Sequence, residues 1–111
     1  MSEPTIQDVF GAGATQTATT LTILKSDLPT LTASATNRGE QLFMGIVLNA
    51  KANLTETARN GDLDRSIAIE PSFDQVTSRT VGGVTNQYYQ TGLSISAQKL
   101  NTNSSIDADD Y

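Results

Sequence analysis

An α+β domain is the fold class this sequence predicts, and three observations lead there. Residues 37–54, NRGEQLFMGIVLNAKANL, form the longest segment with a helical apolar period. From residue 66 onward the chain runs in alternating, β-branched stretches. Between two of those stretches stands Gly82-Gly83, a pair that supplies the positive φ angles of a tight hairpin. The expected architecture is an antiparallel sheet of about four strands, covered on one face by the 37–54 helix, with extended N- and C-terminal arms. The arms are 1–14 and an acidic 101–111, and residues 15–100 make one domain, as suits a chain of 111 residues.

The helix justifies itself first. Asn37 can cap the free N–H groups of the first turn, and Glu40 stands at the spacing of a capping box. At about 100° per residue, Leu42, Phe43, Ile46, Val47, Ala50 and Leu54 fall on one face, which should meet the sheet. Met44, Leu48 and Ala52 lie roughly opposite, where Lys, Glu or Arg would mark a solvated surface. Either the helix is buried on both sides within its own domain, or this rear face contacts another subunit.

The flanking segments follow. In 1–14, Gly11 and Gly13 form a lone GxG without a following Lys, so a flexible arm is the reading rather than a phosphate loop. Ile6, Val9 and Phe10 could dock that arm on a neighbour. The stretch 15–25, TQTATTLTILK, reads as a half-buried strand that Pro29 prevents from continuing. Asn60-Gly61 ends the helical region, and Asn60, Asp62 and Asp64 fit a solvated turn better than a calcium loop. Strands are expected at 66–70, 73–81 and 84–99; along the last, Tyr89, Leu93, Ile95 and Ala97 share the face that should meet the helix. The acidic end, NTNSSIDADDY, could lay Ile106 and Tyr111 into apolar pockets of a partner while its carboxylates meet Arg or Lys.

Composition narrows the chemistry. The chain has no Cys and no His, which removes Ser–His and Cys–His nucleophiles together with thiolate and imidazole metal sites. Ser96 and Lys99 match S-x-x-K, but on an expected strand rather than at a helix start. The reading is therefore no enzyme, no cofactor and no metal. A net charge of −5 with scattered basic residues disfavours direct binding of nucleic acid. The apolar runs fall far short of a membrane span. The opening MSEPTIQDV lacks the basic and apolar regions of a signal peptide, so synthesis in a cytoplasm is expected.

The Thr/Ser/Ala/Asn-rich strands, the single short helix at LFMGIVL, the missing Cys and His and the two arms together resemble small virion proteins of tailed bacteriophages, particularly those infecting cyanobacteria. That resemblance implies a virion location and a capsid cement or decoration protein. Such a protein acts as a homo-oligomer, a trimer favoured, that bridges major capsid protein subunits. It transfers no individual residue. A tail-tube, tail-completion or neck component, and a small soluble adaptor module, are the alternatives. The candidate interface is Met44, Leu48, Ala52, Ile6, Val9, Phe10, Ile106 and Tyr111.

Overall fold

The computed structural model describes residues 3–99 and 108–111. In chain order the elements are α1 (Ile6–Phe10), β1 (Thr15–Gln16), β2 (Leu21–Thr22), α2 (Gly39–Asn53), α3 (Glu56–Asn60), β3 (Ile67–Pro71), β4 (Gln75–Val81), β5 (Val84–Gln90) and β6 (Leu93–Ala97). Single 3₁₀ turns occur at Lys25–Asp27 and Ala108–Asp110. The class is α+β, as expected, but one four-stranded sheet is not what forms. The strands make three antiparallel pairs, β1–β2, β3–β6 and β4–β5.

Two of those pairs are parts of one long ribbon. Base pairing runs from Ile67↔Ala97 to Pro71↔Leu93, and the Ser72 N–H continues it by donating to the Gly92 carbonyl at 2.9 Å. Beyond that point the register moves by one, to Gln75↔Gln90 and on to Val81↔Val84. Phe73 and Asp74 therefore stand against the single Thr91, a β-bulge that separates base from tip. Asp74 fastens the bulge, its Oδ1 accepting from the Gly92 N–H at 3.2 Å and its Oδ2 from the Tyr89 hydroxyl at 3.0 Å. At the far end Gly82 and Gly83 take φ of 60° and 79°, the double left-handed turn that matches the twist of paired strands. The expected strand over 84–99 is thus one path of chain bent at Gly92 into β5 and β6.

β3 is the strand that the helices hold. Its successive side chains Ala68 and Ile69 point to opposite faces, and both are buried. Ile69 packs with Ala50 and Leu54 at the end of α2, with Val9 and Ile67 against the same cluster. The α2 exit also covers the outer edge of β3, since the Ile69 N–H donates to the Leu54 carbonyl at 2.8 Å. α3 packs against β3 as well. Glu70 reaches from β3 to the first N–H of α3, and Arg59 reaches from α3 to the hydroxyl and carbonyl of Ser96 on β6.

This corrects the expected contact of the last strand. α2 covers β3 rather than β6, so Ile95 is 60% exposed and Tyr89 70% exposed, while Leu93 is half-buried and Ala97 exposed. On α2 itself the expected stripe is only partly covered: Phe43 is exposed, whereas Leu42, Ile46 and Val47 are half-buried. The helix also starts later than Asn37. Arg38 is the N-cap, and its N–H donates to Gln41 Oε1 at 2.9 Å, so Gln41 takes the role expected of Glu40. Asn37 instead braces the approach, accepting from the Ser34 N–H and donating to the Thr32 carbonyl.

The N-terminal segment is not an extended arm. Thr5 and Asp8 close a reciprocal capping box on α1, which lies against α2. The end of α1 would leave carbonyls unpaired; Asn49 and Asn53, one turn apart on α2, donate to those of Val9 and Asp8 at 2.9 and 2.7 Å. Asp27 then pins the glycine loop, its Oδ2 accepting from the Gly13 N–H at 2.8 Å. Residues 15–25 likewise depart from the single half-buried strand. They fold into an exposed hairpin of two-residue strands, its turn held by the Thr17 and Thr20 hydroxyls at 2.7 Å. With only four strand residues paired there, the Thr-rich segment satisfies its backbone through side-chain turns instead.

Two substitutions test this arrangement by urea denaturation. Leu54→Ala, which empties the centre of the cluster, is expected to lose about 2–5 kcal/mol. Gly92→Ala sets a Cβ 2.7 Å from the Phe73 carbonyl oxygen and 2.5 Å from Ser72 Oγ, and is expected to lose about 1–3 kcal/mol by forcing the bulge apart. Wild-type midpoints in either variant would contradict the packing described.

Candidate interaction surfaces

The candidate residues of the N-terminal segment face their own chain. Val9 packs on the core cluster, and Ile6 and Phe10 are half-buried on α1. The rear face of α2 is also partly occupied. Leu28, 5% exposed, rests on Gly45, where an added Cβ would lie 3.1 Å from the leucine Cβ. Pro29, Thr30, Leu31 and Thr32 run on from it, leaving a groove of about 300 Å³ floored by Gln41, Met44, Gly45 and Leu48. Met44 remains 42% exposed there. A second groove of about 390 Å³ places Leu48 and Ala52 beside Ile69, Glu70 and Pro71. Leu48 is the ridge between the two.

Tyr111 lies at a third cavity, of about 440 Å³, with Val9, Leu54 and Ile67 of the core and the carboxyl-bearing Glu3, Asp64 and Asp109. The chain end thus comes back to its own body. Ile106 lies outside the described residues. Asp62 and Asp64 form a local turn, Asp62 Oδ1 accepting from the Asp64 N–H at 2.9 Å. Among the described residues there is no group of three or more His, Cys, Asp or Glu placed to hold a metal, and no helix is long and apolar enough to cross a membrane. Ser96 spends its hydroxyl on Arg59.

The surface that the sequence reading missed is the ribbon tip. Among the described residues the large apolar side chains most exposed to water are Leu63, in the turn after α3, and Phe43, on α2, together with six along the ribbon: Val76, Val81, Val84 and Tyr89 on the tip, Phe73 in the bulge and Ile95 at the base. β4 and β5 make their main contacts with each other, and their side chains are exposed apart from the half-buried Thr77 and Tyr88. Seven residues a strand carry the tip about 23 Å beyond the bulge. Its own cohesion comes from cross-strand pairs: Val76 beside Tyr89, Thr80 and Thr85 hydroxyls at 2.7 Å, and the Arg79 guanidinium 4.1 Å from the centre of the Tyr88 ring. A two-stranded ribbon with two wet faces is marginal by itself. The signal available in the sequence was the bulge: a polar, glycine-containing break at 91–92 opposite Ser72, Phe73 and Asp74 and just after Pro71, which takes β4 and β5 away from the helix.

The overall dimensions are large for the length. It spans 52 × 35 × 24 Å with a Cα radius of gyration of 17.0 Å, where a compact fold of this length has about 13 Å. It exposes 8195 Å², against about 5,900 Å² for a compact monomer of the same mass. No family model matches the chain, and neither a curated protein nor a solved structure does.

Tyr89 offers a probe of the bulge. Its hydrogen bond to Asp74, then the charge of that carboxylate and some desolvation, raise its pKa above the ordinary value of about 10. The bond is therefore present below that ordinary value and is lost as pH rises through the raised one. In Asp74→Asn the charge is gone, and Tyr89 is expected to ionise at lower pH than in the parent, read from its ring carbon by NMR titration. An unchanged titration would mean that the two side chains are apart in solution.

Proposed function

We propose that this chain is a non-enzymatic structural subunit whose fold is completed within a repeating assembly. The capsid cement or decoration role of a phage virion, bridging subunits of a major capsid protein, is the form of that reading that the sequence resemblance implies. The observation that carries the subunit reading is the roughly 2,300 Å² of surface beyond that of a compact monomer. A standard interface takes only about 800 Å² from each partner, so the surplus is enough for more than one contact per chain. Six of the exposed large apolar side chains lie along the ribbon, which supports a contact there. A tail-tube, tail-completion or neck component would use the same features in a ring.

The mechanism is attachment by many weak contacts. A small helix-held body carries a projecting ribbon and two grooves along α2, and repetition on a lattice multiplies modest contacts into tight binding. A soluble adaptor would instead hold one partner through one surface.

Copy number separates these readings. Purified chain should self-associate in light scattering, and it should co-sediment with phage particles in many copies per particle. Stoichiometric one-to-one complexes, with no self-association, would overturn the subunit reading in favour of the adaptor.

A further inference from the structure

We propose that the ribbon tip pairs edge to edge with the same ribbon of a second copy of this chain, extending β4–β5 into an intermolecular antiparallel sheet. The inference rests on the subunit reading above and names the contact that would serve it.

Backbone geometry specifies the groups involved. With a two-residue turn at Gly82-Gly83, Val81 and Val84 form the first hydrogen-bonded pair, and pairs alternate from there. The close Thr80–Thr85 hydroxyl contact suits the next, non-hydrogen-bonded pair, where side chains approach most nearly. The N–H groups of Val76, Ser78 and Thr80 then point outward from β4, and those of Thr85, Gln87 and Tyr89 outward from β5. Both edges of the tip present a regular row of unpaired groups to an approaching strand.

Natural edges are normally defended by charge, proline or a covering element. This tip has almost none of these defences. From 75 to 90 the only charged residue is Arg79, there is no proline, and Arg79 is already placed over Tyr88. The single bulge lies at the root of the tip rather than along its edges. The occupant that fits is a second copy, for two reasons. The chain carries a net charge of −5, and all of its acidic residues lie outside the tip, so contacts between bodies of like charge are opposed. The nearly neutral Thr/Ser/Gln/Asn/Val ribbon meets its own kind without that repulsion. Secondly, a self-interface needs about 800 Å² per copy, and both faces and both edges of the β4–β5 ribbon are exposed and free of acidic side chains that a second copy would have to desolvate.

Hydrogen exchange of the full chain tests this without altering it. Dilute monomer should show slow and fast amides alternating along both strands. In the associated form one outer row, either Val76, Ser78 and Thr80 or Thr85, Gln87 and Tyr89, should become as slow as the inner row. Proline substitutions identify the edge. Ser78→Pro and Gln87→Pro each remove an outward N–H and leave the hairpin's own ladder intact. The one on the paired edge should weaken self-association by about five- to tenfold, the worth of a lost hydrogen bond, with an unchanged circular-dichroism spectrum. An oligomer in which both outer rows still exchange quickly would overturn edge pairing while the subunit reading stood on its copy number. A chain that stays monomeric at all concentrations, or whose outer rows become slow only with a different protein present, would overturn it too.

Discussion

Everything in this molecule depends on burying one five-residue strand from both sides. β3 has Leu54 and Ala50 against one face and α3 against the other, and its outer backbone edge is closed by the α2 exit. The sequence around it supplies little else to bury. Among the described residues the buried apolar side chains are Ala14, Leu28, Ala50, Leu54, Ala68 and Ile69, half of them alanine. Alanine contributes almost no side-chain volume, so the elements are held by close backbone approach and by polar anchors such as Asn49, Asn53, Asp27 and Arg59. Such anchors fix position, and each adds only about 1 kcal/mol net.

The ribbon follows from the same shortage. A strand pair that runs from the body to Gly82 and Gly83 has no second layer to lie on once it passes the bulge. Phe73 and Asp74 opposite Thr91 shift the register by one residue, and with it the assignment of side chains to faces on one strand. The tip is then a two-sided surface with mixed polar and apolar content. At the bend Asp74 ties Gly92 and Tyr89 together by accepting a hydrogen bond from each.

How much of this could be read from the chain varies with the range of the interactions. Gly82-Gly83 was legible because a turn with two positive φ angles is a local demand. The α2 helix was legible for the same reason, through its period and cap region, although Gln41 rather than Glu40 closes the box. Partners were not. Leu93 and Ile95 alternate as a buried face would, yet the helix crosses the neighbouring strand instead, and no local pattern distinguishes β3 from β6. In 15–25 the β-branched residues matched a strand, while the threonine hydroxyls turned the chain back on itself. α1 escaped notice because its stability is largely tertiary: a five-residue helix is held by its cap and by two asparagines about forty residues away. Of the candidate interface, Val9 serves the molecule's own core and Met44 stays open to water.

The alanine-rich core has a thermal corollary. Heat capacity of unfolding scales with the apolar surface that becomes hydrated, and it sets the curvature of stability with temperature. A fold that buries so little should have a shallow stability curve, with a low maximum that changes only gradually on warming or cooling. Such a subunit would keep much the same modest stability across a broad range of growth temperatures.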